Sequence, residues 1–222
     1  MLSNGPNLLQ NRWLSYMFLS AVYGAEPDVG LLAQLCGRLN GERFMHGAEG
    51  YDQFERLLRR IMDKPVEEMA TSLAVEYAGL FLNAGLTPVF PFESAYTSPG
   101  QLLMQTARDK VLTEYRKERL VLSPQFKEFE DHIAVEMEFM SYLCRKAAEA
   151  VEAEDYGKVQ RYLQKQKQFV GEHLLNWVPQ FCMDVERAAR TDFYRSVAGI
   201  TAGYLSSEMQ TIDKLQDSLK QG

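Results

Sequence analysis

Apolar positions recur with the 3.6-residue period of a helix almost everywhere along the chain, and no run of alternating Val, Ile or Thr argues for a sheet. The pattern predicts an all-α protein. Leu9, Trp13, Tyr16, Met17 and Ser20 line one face of a first helix that Gly24 and Pro27 end. A second helix starts near Asp28, Gly37 to Gly50 is a loop, and Asp52 is the N-cap of a third helix bearing Phe54, Leu57, Leu58 and Ile61. Val66, Met69, Leu73, Tyr77 and Leu80 stripe a fourth, which Asn83, Ala84 and Gly85 terminate.

An irregular segment, Leu86 to Thr97, carries Pro88 and Pro91. Ser98-Pro99 then reads as a cap with proline at the first helical position, opening a helix through Leu103, Ala107, Val111 and Tyr115, and Ser123-Pro124 repeats that signature. From Phe126 the expected stripe is Phe129, Ile133, Met137 and Met140, with Glu128, Asp131, Val135 and Glu138 opposite if the helix is continuous. Glu136 falls at the margin of the apolar stripe, which makes it either paired or near a cavity. A long helix follows from Tyr156, ended or kinked by Pro179, and a last stripe runs Phe193, Val197, Ile200, Tyr204 behind a cap at Thr191 or Asp192. Ser206 to Gly222 reads as a polar tail that frays or extends the final helix.

Composition adds exclusions. With 222 residues, 46% apolar and 24% charged, the chain can build a core without disulfides or metals. Lys plus Arg number 24 against 30 Asp plus Glu, a net charge of -6, so no nucleic-acid-binding face is expected. The acid concentrates in Phe126 to Glu138, where one Lys stands against Glu128, Glu130, Asp131, Glu136 and Glu138, and a cationic partner is the natural complement. Cys36, Cys144 and Cys182 are scattered in apolar patterns and read as reduced core thiols. The N-terminus lacks a secretory pattern and no segment reads as a membrane span, so a cytoplasmic protein is expected.

The common chemical motifs are missing: no phosphate loop, dinucleotide fingerprint, nucleophile elbow, paired Glu-x-x-His, Cys-x-x-Cys or His-Glu-x-x-His occurs. No catalytic residue, metal or cofactor is therefore assigned. Gly199 and Gly203 form a G-x-x-x-G read as close helix packing. Two features stay open on residue patterns alone. Asp131-His132, an acid beside an imidazole, is either a functional pair or a piece of a solvated helix face with one packed histidine. Pro88 to Tyr96, rich in Pro and aromatics, either lines a peptide groove or plugs the core.

Three blocks give the sequence a family resemblance. Tyr77-Ala-Gly-Leu80-Phe81 with Pro91-Phe92-Glu93-Ser94-Ala95-Tyr96 is the first; Glu128-Phe-Glu-Asp131-His132-Ile133 with Glu136-Met-Glu138-Phe139-Met140 is the second; His173-Leu-Leu-Asn-Trp177-Val-Pro179-Gln-Phe181 with Phe193-Tyr194 is the third. Together they resemble the TorD/DmsD/NarJ family of cytoplasmic redox-enzyme maturation chaperones, from which the second block departs by Phe129 where proline is usual and the first by Phe92 where tyrosine is common.

The resemblance implies one TorD-like helical domain over residues 1–222: an N-terminal portion at residues 1–119, a hinge at 120–125, a C-terminal portion at residues 126–205 and the polar tail. It also implies a non-enzymatic chaperone that binds the twin-arginine signal peptide, or the immature form, of a molybdenum-cofactor oxidoreductase until folding and cofactor insertion are complete. The residues it points to are Tyr77, Leu80, Phe81, Pro91, Phe92, Glu93, Ser94, Tyr96, Glu128, Asp131 and His132, which pair acid with an apolar groove. The alternatives are a helical adaptor for a folded partner and a nucleotide-regulated switch using His132 with Asp131 or Glu136. A monomer with a minor domain-swapped dimer is expected.

Overall fold

The computed structural model describes residues 5–39, 45, 48–62 and 65–220; side chains at 5–6, 35–39 and 61–62 lie outside this description, as do residues 40–44 and 46–47 of the expected Gly37–Gly50 loop and residues 221–222 of the tail. Ten α-helices occur among the described residues: α1 Gly5–Gly24, α2 Val29–Leu39, α3 Tyr51–Met62, α4 Val66–Phe81, α5 Glu93–Thr97, α6 Thr106–Lys117, α7 Ile133–Glu152, α8 Tyr156–Phe169, α9 Leu175–Ala188 and α10 Asp192–Lys220. There is no strand among them, only an isolated antiparallel bridge between Phe92 and His132. The all-α expectation holds.

α1 is the central element, because it is apolar around most of its circumference: Leu9, Tyr16, Phe18, Leu19, Val22 and Tyr23 are all buried. Its principal partner is α7, which in turn packs on α8. A knot of rings ties α1 to α4, α9 and α10: Tyr23 meets Phe81 at 6.0 Å and Phe181 at 5.5 Å, and Phe81 meets Tyr194 at 5.6 Å. Cys144 and Cys182 are buried free thiols in this core, and burial pushes the Cys144 thiol up to about 12, which leaves it unreactive. The Cys36 side chain lies outside the described residues.

Four sequence expectations change. Asp52 sits inside α3 rather than capping it, since the helix begins at Tyr51. Ser98-Pro99 opens only a 3₁₀ turn, Pro99–Gln101, because Gly100 and Gln101 adopt positive φ (72° and 57°); α6 starts afresh at Thr106. Ser123-Pro124 opens no helix. The chain leaves α6 through Arg119, in the left-handed region at φ 59°, and the backbone stays non-helical to His132. Pro179 neither ends nor breaks α9, which continues to Ala188 directly after a widened π turn at Val170–Leu174.

Of the two outcomes expected for the polar tail, extension is the one observed. α10 runs without interruption to Lys220 with Ile212 and Leu215 in the core, and Glu208, 1% exposed, closes a buried ion pair with Arg12 of α1. In the G-x-x-x-G, Gly203 packs against a turn rather than a helix: a Cβ there would lie 2.8 Å from the Glu49 carbonyl oxygen.

Candidate functional site

The three sequence blocks converge on one place. Segment 91–93 pairs with segment 131–133 through Glu93 N–H to the Asp131 carbonyl (2.9 Å) and Ile133 N–H to the Pro91 carbonyl (2.8 Å). The start of α7 is thus stapled to the irregular loop before α5. This staple, not a continuing helix, orients Asp131 and His132, and the helix break ahead of Asp131 is present although Phe129 replaces proline.

The acidic stretch separates into three kinds of carboxylate. Asp131 and Glu136 are fully buried. The Asp131 carboxylate accepts from Ser94 N–H at 2.9 Å, capping α5, and so satisfies a donor that five residues of helix cannot. Burial, with Glu93 and Asp131 close by, holds the Glu136 carboxyl well above the usual carboxylate range, and its Oε1 has no hydrogen-bond partner among the described residues. Its other oxygen accepts from Trp177 Nε1 at 3.1 Å, while His173 Nδ1 stands 2.9 Å from Glu93. The third block therefore anchors the first two from beneath.

Glu130 is the second kind, since Arg108 of α6 grips it in a two-pronged ion pair that also lowers its carboxyl below the usual range. Glu128 and Glu138 are the third kind: they have no ion pair among the described residues, and both reach solvent.

His132 caps α7, its Nδ1 accepting from Ala134 N–H at 3.1 Å, with the ring edge-on to Phe92 (5.1 Å) and Phe126 (5.5 Å). Burial drives its pKa down to about 3, so at neutral pH it is uncharged and a weak base. An acid–base role for His132 with Asp131 or Glu136 finds no support in this arrangement.

Six of the residues singled out from sequence line one pocket of about 160 Å³: Tyr77, Phe81, Pro91, Phe92, Glu128 and His132. Gly24, Ala25, Glu26 and Leu82 complete it. Glu26, on the turn after α1, is the residue that sequence reasoning missed; it stands apart from every motif block, and only the packing of α1 against α4 and α7 brings it in. Burial raises the Tyr77 hydroxyl well above its ordinary pKa, and the charges of Glu128 and Glu26 raise it further. Tyr77 donates instead to the Tyr23 carbonyl at 2.9 Å.

The other singled-out residues lie outside the pocket. Leu80 is in the core, Glu93 and Ser94 belong to the buried polar cluster, and Tyr96 packs on Trp177 at 5.5 Å and Phe181 at 6.3 Å. The pocket thus sets two accessible carboxylates against an aromatic and proline wall. Such a site is suited to a cation carried on an apolar chain.

The nitrate reductase delta subunit family model matches residues 46–183, which include all three blocks up to Phe181. The chain belongs to this family. Its similarity extends to curated members: a chaperone protein TorD of Vibrio cholerae is 26% identical over 211 residues, covering 91% of this chain and 90% of that one. A chaperone protein TorD of Photobacterium profundum is 32% identical over 130 residues, 59% of this chain and 58% of that one. A crystal structure of a candidate redox enzyme maturation protein from Archaeoglobus fulgidus aligns over 91% of this chain and 93% of its own, with 17% identity and a TM-score of 0.49. The family is one of chaperones, not of enzymes. No described helix is long and apolar enough to cross a membrane.

Proposed function

We propose that this protein is a chaperone for the maturation of a molybdenum-cofactor oxidoreductase and that it binds the client's twin-arginine signal peptide. The observation that carries the reading is the pairing of Glu26 and Glu128, both accessible and without an ion pair among the described residues, with the wall formed by Tyr77, Phe81, Leu82, Pro91 and Phe92. A guanidinium presents a planar fork that two carboxylates can grip, while its alkyl stem lies on the rings. Lysine offers the same charge without the fork.

In this reading Asp131 and His132 act as positioning residues: they fix segment 91–93 and the start of α7, and so set the distance between Glu128 and the wall. Glu93, Ser94 and Tyr96 support them from the far side.

The test is isothermal calorimetry with the purified protein, a twin-arginine signal peptide and the same peptide with both arginines changed to lysine. The arginine peptide is expected to bind more tightly. Glu128→Gln should weaken it by about 1 to 2 kcal/mol, roughly 5- to 30-fold. Added salt should weaken it too, because both carboxylates are solvent-accessible. Equal affinities for the two peptides, unchanged in Glu128→Gln, would falsify the assignment.

A further inference from the structure

Away from the pocket, α3 and α10 pack together through Phe54 and Phe193, whose ring centroids lie 6.2 Å apart, and leave a groove between them. Gln53, Arg56, Leu57 and Arg60 border it from α3, and Asp192, Arg195, Ser196 and Gly199 border it from α10. Both sets are spaced i, i+3, i+4, i+7, so each is one face of its helix over two turns, about 10 Å at 1.5 Å per residue. With Glu186 of α9 the groove encloses about 630 Å³, and it shares no residue with the pocket around Glu128.

Three arginines meet here in a chain whose net charge is -6. Their neighbour Arg59 is taken by Glu55 at 2.7 Å, but Arg56 and Arg60 are exposed and have no ion pair among the described residues. Arg195 is held in place, since its guanidinium donates to the Ala189 carbonyl at 2.6 Å and stands 3.5 Å from Asp192. Leu57 is the member of the α3 apolar stripe that the core leaves half-buried, while Phe54 and Leu58 are fully buried.

Gly199 is the second pointer. Glycine weakens the interior of a helix, and at Gly203 the close approach of Glu49 explains it. At Gly199 nothing inside the molecule does: a Cβ there would meet no atom nearer than Glu186 Oε1 at 3.6 Å, an ordinary contact. The missing side chain opens room that only an outside group can use.

We infer that this groove receives an acidic amphipathic helix of a partner protein. Arg56 and Arg60 stand one helical turn apart, about 6 Å, which is the spacing of carboxylates at i and i+4 on a helix laid along them. Leu57 and the bare Gly199 meet its apolar side. A compact polyanion such as phosphate fits less well, because Glu186 and Asp192 line the same groove and repel charge concentrated at one point, whereas carboxylates spread along a helix can keep to the arginines. The inference does not rest on the signal-peptide reading.

The experiment is fluorescence anisotropy of the full chain with a labelled Ala/Leu helical peptide carrying glutamates at i and i+4, and with the same peptide carrying glutamines. The glutamate peptide should bind more tightly, and added salt should weaken it. The double variant Arg56→Gln/Arg60→Gln should lower its affinity about tenfold or more. Gly199→Leu, which fills the groove, should do the same while melting no lower than the parent, so lost binding there is not lost fold. Binding of the Arg-Arg signal peptide should be unchanged in all of these proteins. Equal affinity for the glutamate and glutamine peptides, or parental affinity in both variants, overturns the assignment and leaves the signal-peptide pocket standing. Displacement of the glutamate peptide by inorganic phosphate, where chloride of equal ionic strength leaves it bound, overturns it in favour of a small-anion site.

Discussion

Glu208→Gln is the sharpest test of how the site is held. Arg12 and Glu208 are each 1% exposed, and they meet through Nη2 to Oε2 at 2.7 Å and Nε to Oε1 at 3.1 Å. Gln166 accepts from Nη1 at 2.6 Å, and the Tyr16 hydroxyl donates to Glu208 at 2.8 Å, so the charged groups are enclosed by neutral partners. Changing Glu208 to Gln keeps the shape and removes the carboxylate bonded to the guanidinium. The uncompensated charge should cost about 3 to 5 kcal/mol. For a chain of this size each kcal/mol lowers the melting temperature by about 2 to 4 °C, so the expected fall is roughly 6 to 20 °C.

Circular dichroism melts and urea unfolding would measure it. The double variant Arg12→Met/Glu208→Leu is expected to recover most of the loss, because an apolar pair of similar volume leaves no charge to desolvate. A Glu208→Gln melting temperature within about 2 °C of the parent would refute the reasoning, since no ordinary buried pair is worth so little when one partner is removed.

Other outcomes follow from the same structure. His132 has a folded pKa of about 3 against an ordinary 6.5, so the unfolded chain takes up the proton first as pH falls; the native state should lose about 2 kcal/mol by pH 5 from this residue. His132→Asn, which keeps the cap but cannot titrate, should show a correspondingly flatter pH dependence of its urea midpoint. The two glycines of the G-x-x-x-G should respond in opposite directions: Gly203→Ala forces a Cβ to 2.8 Å from the Glu49 carbonyl oxygen and should destabilise by about 1 to 3 kcal/mol, whereas Gly199→Ala meets nothing closer than 3.6 Å and should gain up to about 1 kcal/mol from helix propensity. Thermal melts of the two variants check this directly.

The helices were legible because packing between helices demands a 3.6-residue stripe, and α4, α7, α8 and α10 all display one. What periodicity could not show was where a helix fails to begin. Phe126 to Ile133 has the spacing of a stripe, yet its far end is bonded to segment 91–93, and no local pattern announces a partner so distant along the chain. The same blind spot hid the fate of the acids. Glu128, Glu130, Asp131 and Glu136 look alike in sequence, but one is exposed to a pocket, one is gripped by Arg108 and two are buried. Arg12 lies beside an apolar stripe, a signal that a buried partner exists; its partner, Glu208, sits in a stretch whose composition suggested solvent.

The seam of α1 and α7 has a consequence in time. Its two walls are more than a hundred residues apart along the chain, and the ion pair that fixes α1 needs Glu208 on the last helix. Chains grow from the N-terminus, and helices fold as their partners emerge. A half-made copy therefore exposes α1 before α7 can cover it, and the ion pair that fixes α1 closes only when synthesis is nearly complete.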